Sequence, residues 1–145
     1  MRKQYIMLID DEEEIRTTLG SILKATLSDL NAEIIIQSNA EEALDTLGSI
    51  PIDLILTDIL MPGMTGLEMI DSIRSRGNKI RIIAITGSSA RDEYEVELLL
   101  AESNTILDNT SKFKATEILY KPINTMELVS NLKEFLLENA KKSDK

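Results

Sequence analysis

The sequence predicts an α/β domain: an open, doubly wound parallel β-sheet with helices on both faces. Three observations predict it. Five short apolar runs recur along the chain, amphipathic segments of helical period lie between them, and polar residues stand directly after the runs. The runs are nearly continuous in apolar character, whereas a half-exposed strand would alternate, so they read as strands buried on both faces. Strict alternation of strand and helix, (βα)5, then implies a parallel sheet covered on both sides.

Each element has its own justification. "QYIMLI" (4–9) is the first strand, and five consecutive carboxylates follow it, Asp10, Asp11, Glu12, Glu13 and Glu14. The last three begin the first helix, where the helix dipole favours negative charge by about 0.3–1 kcal/mol each at most. Ile15, Leu19, Ile22 and Leu23 then fall at i, i+4, i+7 and i+8, an apolar helical stripe. "EIIIQ" (33–37) is the second strand and "IDLILT" (52–57) the third, leading straight into Asp58. Pro62 and Gly63 signal a tight turn and Gly66 a helix start. "IRIIAIT" (80–86) is the fourth strand and ends on Thr86. The long interval 87–116 reads as a helix through "RDEYEVELLLA" and a polar stretch after it. "EILY" (117–120) is the fifth strand, followed by Lys121 and Pro122. Leu128, Leu132, Phe135 and Leu136 repeat the helical spacing, with Asn124 and Glu127 as a capping pair at the start. One domain is expected over 1–140, with 141–145 a frayed polar tail.

Composition narrows the functions available. A chain of 145 residues fits a single domain with one sizeable core. That core must be aliphatic, because Tyr5, Tyr94, Tyr120, Phe113 and Phe135 are the only aromatics. The net charge of −9 argues against a direct grip on nucleic acid or an anionic membrane. Without cysteine there are no disulfides, thiolate metal sites or thiol nucleophiles, and a reducing, cytoplasmic location fits. Without histidine there is no Ser-His-Asp catalysis, no His-bound zinc and no phosphohistidine on this chain. No stretch reaches membrane-spanning length.

In open parallel sheets the functional crevice lies beyond the carboxyl ends of the strands, at the switch in strand order. Asp10, Asp11, Asp58, Thr86 and Lys121 all fall at such ends. Three carboxylates converging there repel: at about 4 Å and an effective dielectric near 20, each pair costs about 4 kcal/mol. A bound cation or a raised pKa must offset this. An all-oxygen donor set without His or Cys points to a hard ion, Mg²⁺. Lys121 adds a fixed positive charge and Thr86 a hydroxyl donor, which completes the parts needed to handle a phosphoryl group. Singly, each residue has a bland explanation: a solvated helix start, a strand-end threonine, a surface lysine, a helix-start proline. Their conjunction at successive strand ends does not.

The pair Asp10 and Asp11, the stretch "DLILTDILMPGMTGLEMI" around Asp58, Thr86 after "IIAI", and Lys121–Pro122 resemble the receiver domain of two-component response regulators, of the single-domain, chemotaxis-regulator-like kind. The likeness runs from residue 4 to about 138. It implies a flavodoxin-like strand order 2-1-3-4-5 and a signalling switch rather than an enzyme in the ordinary sense, one that assists its own phosphorylation and dephosphorylation. Asp58 would accept a phosphoryl group from a phosphohistidine on a sensor histidine kinase or histidine phosphotransfer protein. Asp11, Asp58 and the backbone carbonyl of Leu60 would ligate Mg²⁺ directly, and Asp10 mainly through water. Lys121 and Thr86 would bind the phosphoryl oxygens, and Pro122 would follow a cis peptide bond.

The chain departs from that family in three places. The switch position, three residues before the lysine, is Ile118 in place of the usual Tyr or Phe. A branched aliphatic side chain cannot swing as a ring does; Tyr120 and Phe113 are the candidate substitutes. The interval between Thr86 and Lys121 is longer than usual, and 102–116 is either a tolerated loop insertion or a dedicated partner surface. Leu60 stands where some relatives carry a polar side chain that orients attacking water, so slow hydrolysis is expected. A lifetime of only seconds after phosphorylation by a small donor would contradict it. Rival functions fare worse. An aspartyl-phosphate phosphatase wants a second acid where Leu60 lies, and a flavin site wants a Ser/Thr-rich loop where the acids lie. A degenerate receiver, serving as a phosphorylation-independent docking module, is the remaining alternative.

Overall fold

The computed structural model of the chain describes residues 2–86 and 117–143. Five strands, β1 (Gln4–Ile9), β2 (Ala32–Gln37), β3 (Leu54–Asp58), β4 (Arg81–Thr86) and β5 (Glu117–Tyr120), form one sheet in the order β2-β1-β3-β4-β5. Every neighbouring pair is parallel. Helices α1 (Glu13–Leu27), α2 (Ala40–Leu47), α3 (Gly66–Ser75) and a C-terminal helix (Thr125–Ser143) cover it, with a 3₁₀ turn at Ser28–Leu30. The doubly wound α/β class and the 2-1-3-4-5 order are therefore as expected. The expected helix through "RDEYEVELLLA", the stretch 102–116 and Phe113 lie outside the described residues.

The pleat of the strands sorts the core into two layers. Ile6, Leu8, Leu54, Leu56, Ile83 and Ile85 face one way and bury against Leu19 and Leu23 of α1 and Leu128, Leu132 and Leu136 of the C-terminal helix. Met7, Ile9, Ile55, Ile82 and Ala84 face the other way, against Ala40 and Ala43 of α2 and Met69, Ile70 and Ile73 of α3. Successive side chains of a strand point to opposite faces, so a continuous apolar run supplies both layers at once. Each fully buried side chain of this size contributes about 1.5–3 kcal/mol relative to exposure.

The C-terminal helix runs to Ser143. Ala140 is buried, and the Asn139 amide donates to Gln4 Oε1 at 2.7 Å and to Asp53 Oδ1 at 3.2 Å, so the helix still has a partner there. Gln4, wholly buried, returns the contact by donating to the Leu136 carbonyl at 2.9 Å. Asp53 also accepts from the Tyr5 backbone N–H and from Arg2. This polar knot clamps the last helix to the end of the sheet opposite the acids.

Candidate functional site

Four strand ends build the site, and the strand order makes them neighbours. Asp10 follows β1, Asp58 ends β3, Thr86 ends β4 and Lys121 follows β5. Backbone hydrogen bonds carry the ladder beyond the strands proper: Asp10 N–H donates to Gln37 O, Ile59 N–H to Ile85 O and Lys121 N–H to Thr86 O, at 3.2, 3.0 and 2.8 Å. The functional backbone is therefore as fixed as the sheet. The Lys121–Pro122 peptide bond is cis.

Asp10, Asp11 and Asp58 converge, with carboxylate oxygens within 4.8 Å of one another. Asp10 is 1% exposed and Asp58 7%, while Asp11 lies at the surface. Lys121 Nζ is 3.7 Å from Asp58 Oδ2. Burial, and then the charge of Asp10, push the Asp58 carboxyl up to about 6; Lys121 opposes them and Asp11 adds to them. Asp10 is raised as well, first by burial, against the Glu12 backbone N–H that holds its Oδ1 at 2.9 Å and the charge of Lys121. Among the described residues, one lysine ammonium near Asp58 leaves three converging acids undercompensated. An oxygen-only cluster with that deficit fits a hard divalent cation.

Thr86 is 1% exposed, and its Oγ1 is the one buried side-chain polar atom among the described residues without a hydrogen-bond partner. An orphaned hydroxyl costs about 1–3 kcal/mol unless something accepts or donates there. A ligand oxygen entering beside Asp58 would satisfy it.

The turn after β3 is held from behind. Gly66, the first residue of α3, donates its N–H to the Ile59 carbonyl at 2.8 Å. A Cβ there would run into the Asp58 carbonyl oxygen and lie 2.8 Å from Ile59 Cα. Thr65 and Glu68 form a reciprocal capping box that starts α3, and Glu41 of α2 accepts from the Met64 N–H at 3.2 Å. Leu60 sits half-buried within this turn. The Thr65-x-x-Glu68 pattern could have been read from the sequence as a capping box. The demand on Gly66 could not, because it arises from a backbone approach.

Of the residues expected at the site, Asp10, Asp11, Asp58 and Lys121 come together, with Thr86 on the strand between the last two. Ile118 does not join them: it lies half-buried in β5 and packs against the α2 and α3 layer. Tyr120 is 52% exposed. Arg16, which sequence reasoning passed over, reaches back from α1 to donate Nη1–H to the Asp10 carbonyl at 2.9 Å. Beside the acids an apolar cleft of about 280 Å³ opens between α1 and the end of β5, lined by Ile15, Leu19, Ile22, Pro122 and Ile123 among others.

The model of the response regulator receiver domain family matches residues 6–133. Among curated proteins, the chain is 29% identical over 104 residues to the Regulator of RpoS of Escherichia coli K12, which covers 72% of this chain and 30% of that protein. It is also 29% identical over 131 residues to the transcriptional regulatory protein CpxR of the same strain, 90% of this chain and 48% of the relative. The chain thus spans about a third of the first relative and about half of the second. Among solved structures, a response regulator receiver protein from Pseudomonas putida superimposes with a TM-score of 0.70 at 23% identity, over 92% of this chain and 98% of that one. A response regulator receiver domain protein from Clostridium thermocellum gives 0.66 at 25% identity, over 98% and 99%.

Proposed function

The chain belongs to the response regulator receiver domain family of two-component signalling, and from that premise we propose that it is a phosphorylation-controlled switch whose phosphoacceptor is Asp58. The observation that carries the proposal is the convergence of three carboxylates, two of them buried, with a lysine ammonium 3.7 Å from Asp58. Such a cluster stores repulsion that a divalent cation relieves, and the same cation with Lys121 offsets the negative charge of an incoming phosphoryl group.

Asp10, Asp11, Asp58 and the backbone of Leu60 are the residues that would hold Mg²⁺. The chemistry that a bound Mg²⁺ supplies is neutralisation of the converging acids and of the transferring phosphoryl oxygens. A carboxylate oxygen of Asp58 attacks the phosphorus of a phosphohistidine on a partner kinase or phosphotransfer protein. The new P–O bond forms as the P–N bond breaks, and the imidazole leaves and recovers a proton from solvent. Lys121 offers its charge to the phosphoryl oxygens, and the Thr86 hydroxyl finds there the partner it otherwise lacks. The apolar cleft beside the acids offers the donor protein a contact surface. Added charge and new acceptors at Asp58 then alter the surfaces reached through Thr86 and β5, which is how the signal would pass to a downstream protein.

The test is incubation with Mg²⁺ and acetyl phosphate, or with a beryllium fluoride mimic, read by intact mass and by binding. Modification that needs Mg²⁺ and disappears in Asp58→Asn is expected. No Mg²⁺-dependent response in the wild type would overturn the proposal in favour of a docking module that works without phosphorylation.

A further inference from the structure

We propose that Arg16 is a positioning residue for the acidic loop, setting its cation affinity without touching the cation; the inference rests on the Mg²⁺ site proposed above. Arg16 lies in the first turns of α1 and is half-buried. Its guanidinium donates to the Asp10 carbonyl at 2.9 Å, and its backbone N–H donates to the Glu12 carbonyl at 3.1 Å. Asp10 is fixed at two further points, its N–H on the Gln37 carbonyl and its Oδ1 on the Glu12 N–H. Asp11, the exposed member of the cluster, is therefore the single residue between two held neighbours. Because a peptide unit is planar, fixing the Asp10 carbonyl also fixes the N–H and Cα of Asp11, and with the Glu12 N–H and carbonyl held on the other side little φ and ψ freedom remains to turn its side chain.

Charge alone would give Arg16 the opposite effect. A guanidinium beside a cation site repels the cation, so removing it should tighten binding. A positioning role predicts weaker binding, because Asp11 would then have to be ordered at the moment the cation arrives. Contacts one shell out from a metal ligand typically govern affinity by about 10–100-fold. The sign of the change therefore separates the two roles.

The experiment titrates Mn²⁺ as a probe into the full chain and follows free Mn²⁺ by electron paramagnetic resonance. Wild type, Arg16→Met, Arg16→Lys and Lys24→Met are compared, with enough trimethylamine N-oxide to keep all four folded by circular dichroism. Arg16→Met, which keeps the aliphatic stem and drops the donors, should weaken Mn²⁺ binding by about tenfold or more. Arg16→Lys, with the charge and a donor retained, should fall between it and wild type. Lys24→Met removes the same charge from the last turn of the same helix and should not weaken binding. Equal or tighter binding by Arg16→Met overturns the positioning role while leaving the metal site standing. A wild-type chain that takes up no Mn²⁺ overturns both.

Discussion

Asp58 is buried and faces a second buried carboxylate, and both conditions make its charge expensive in the absence of a cation. Its proton is held to about pH 6 in the folded protein, against 3.8 for the ordinary side chain. Between those values the folded state keeps a proton that the unfolded chain has lost, so stability from this group falls as pH rises through that window. The cost is complete above about pH 6 and amounts to the order of 3 kcal/mol. Asp58→Asn should therefore gain little over wild type at pH 4 and up to a few kcal/mol at pH 7.5, measured by urea denaturation in chelator. Added Mg²⁺ should shrink the gap at pH 7.5. A difference between the two proteins that does not vary with pH would show that Asp58 does not carry this cost. At this scale the sequence was readable where chemistry singles out a residue type: acids, a lysine and a hydroxyl at strand ends. Arg16 was not readable, since an arginine in a helix looks like any solvated surface residue until the helix is packed. Ile118 was legible as a departure, and it lies half-buried against the α2 and α3 layer.

The elements tie the site to the rest of the fold through their ends. α3 begins against the backbone of Asp58, the proposed phosphoacceptor, and only a residue without Cβ lets it come so close. Gly66→Ala should cost about 1–3 kcal/mol, because the obstructing atoms are backbone and cannot rotate away. Gly48→Ala, where a Cβ would meet nothing nearer than 3.4 Å and the φ of −76° suits any residue, should be neutral or slightly stabilising. Denaturant midpoints of the two variants check the contrast; equal effects would mean that α3 simply shifts to make room. Strand positions were legible to within two residues because burial on both faces leaves a continuous apolar run with sharp ends. The last helix was legible in type, though not in its end at Ser143. Its final turn looks polar in sequence, yet Ala140 is buried and Asn139 is bound to Gln4 and Asp53. Those two partners lie far away along the chain, so local pattern could not announce them.

At the scale of the whole molecule, two aliphatic layers grip one sheet, a polar knot of Gln4, Asp53 and Asn139 closes its lower end, and the acids open at its upper end. This separates stability from function: the clamp is satisfied by hydrogen bonds, while the site retains converging charge and an orphaned hydroxyl. The sequence by itself determined the class of fold, the number of strands and the chemistry available at each strand end, because hydrophobic periodicity and side-chain type are local properties. Distances were another matter. Asp10 and Asp58 are 48 positions apart and Thr86 and Lys121 are 35 apart. Only the order β2-β1-β3-β4-β5 makes their strands neighbours and brings the acids within reach of one ion. The tertiary structure likewise decided that Gly66 must be glycine and that Arg16 must face inward, since both follow from where one element presses on another. "MLIDDEEEI" shows the division plainly. The apolar run and the acids are written in the chain, but the separation of buried Asp10 and exposed Asp11 from the solvated helix start of Glu12, Glu13 and Glu14 comes from the turn of the backbone into α1, where Arg16 donates to the Asp10 carbonyl.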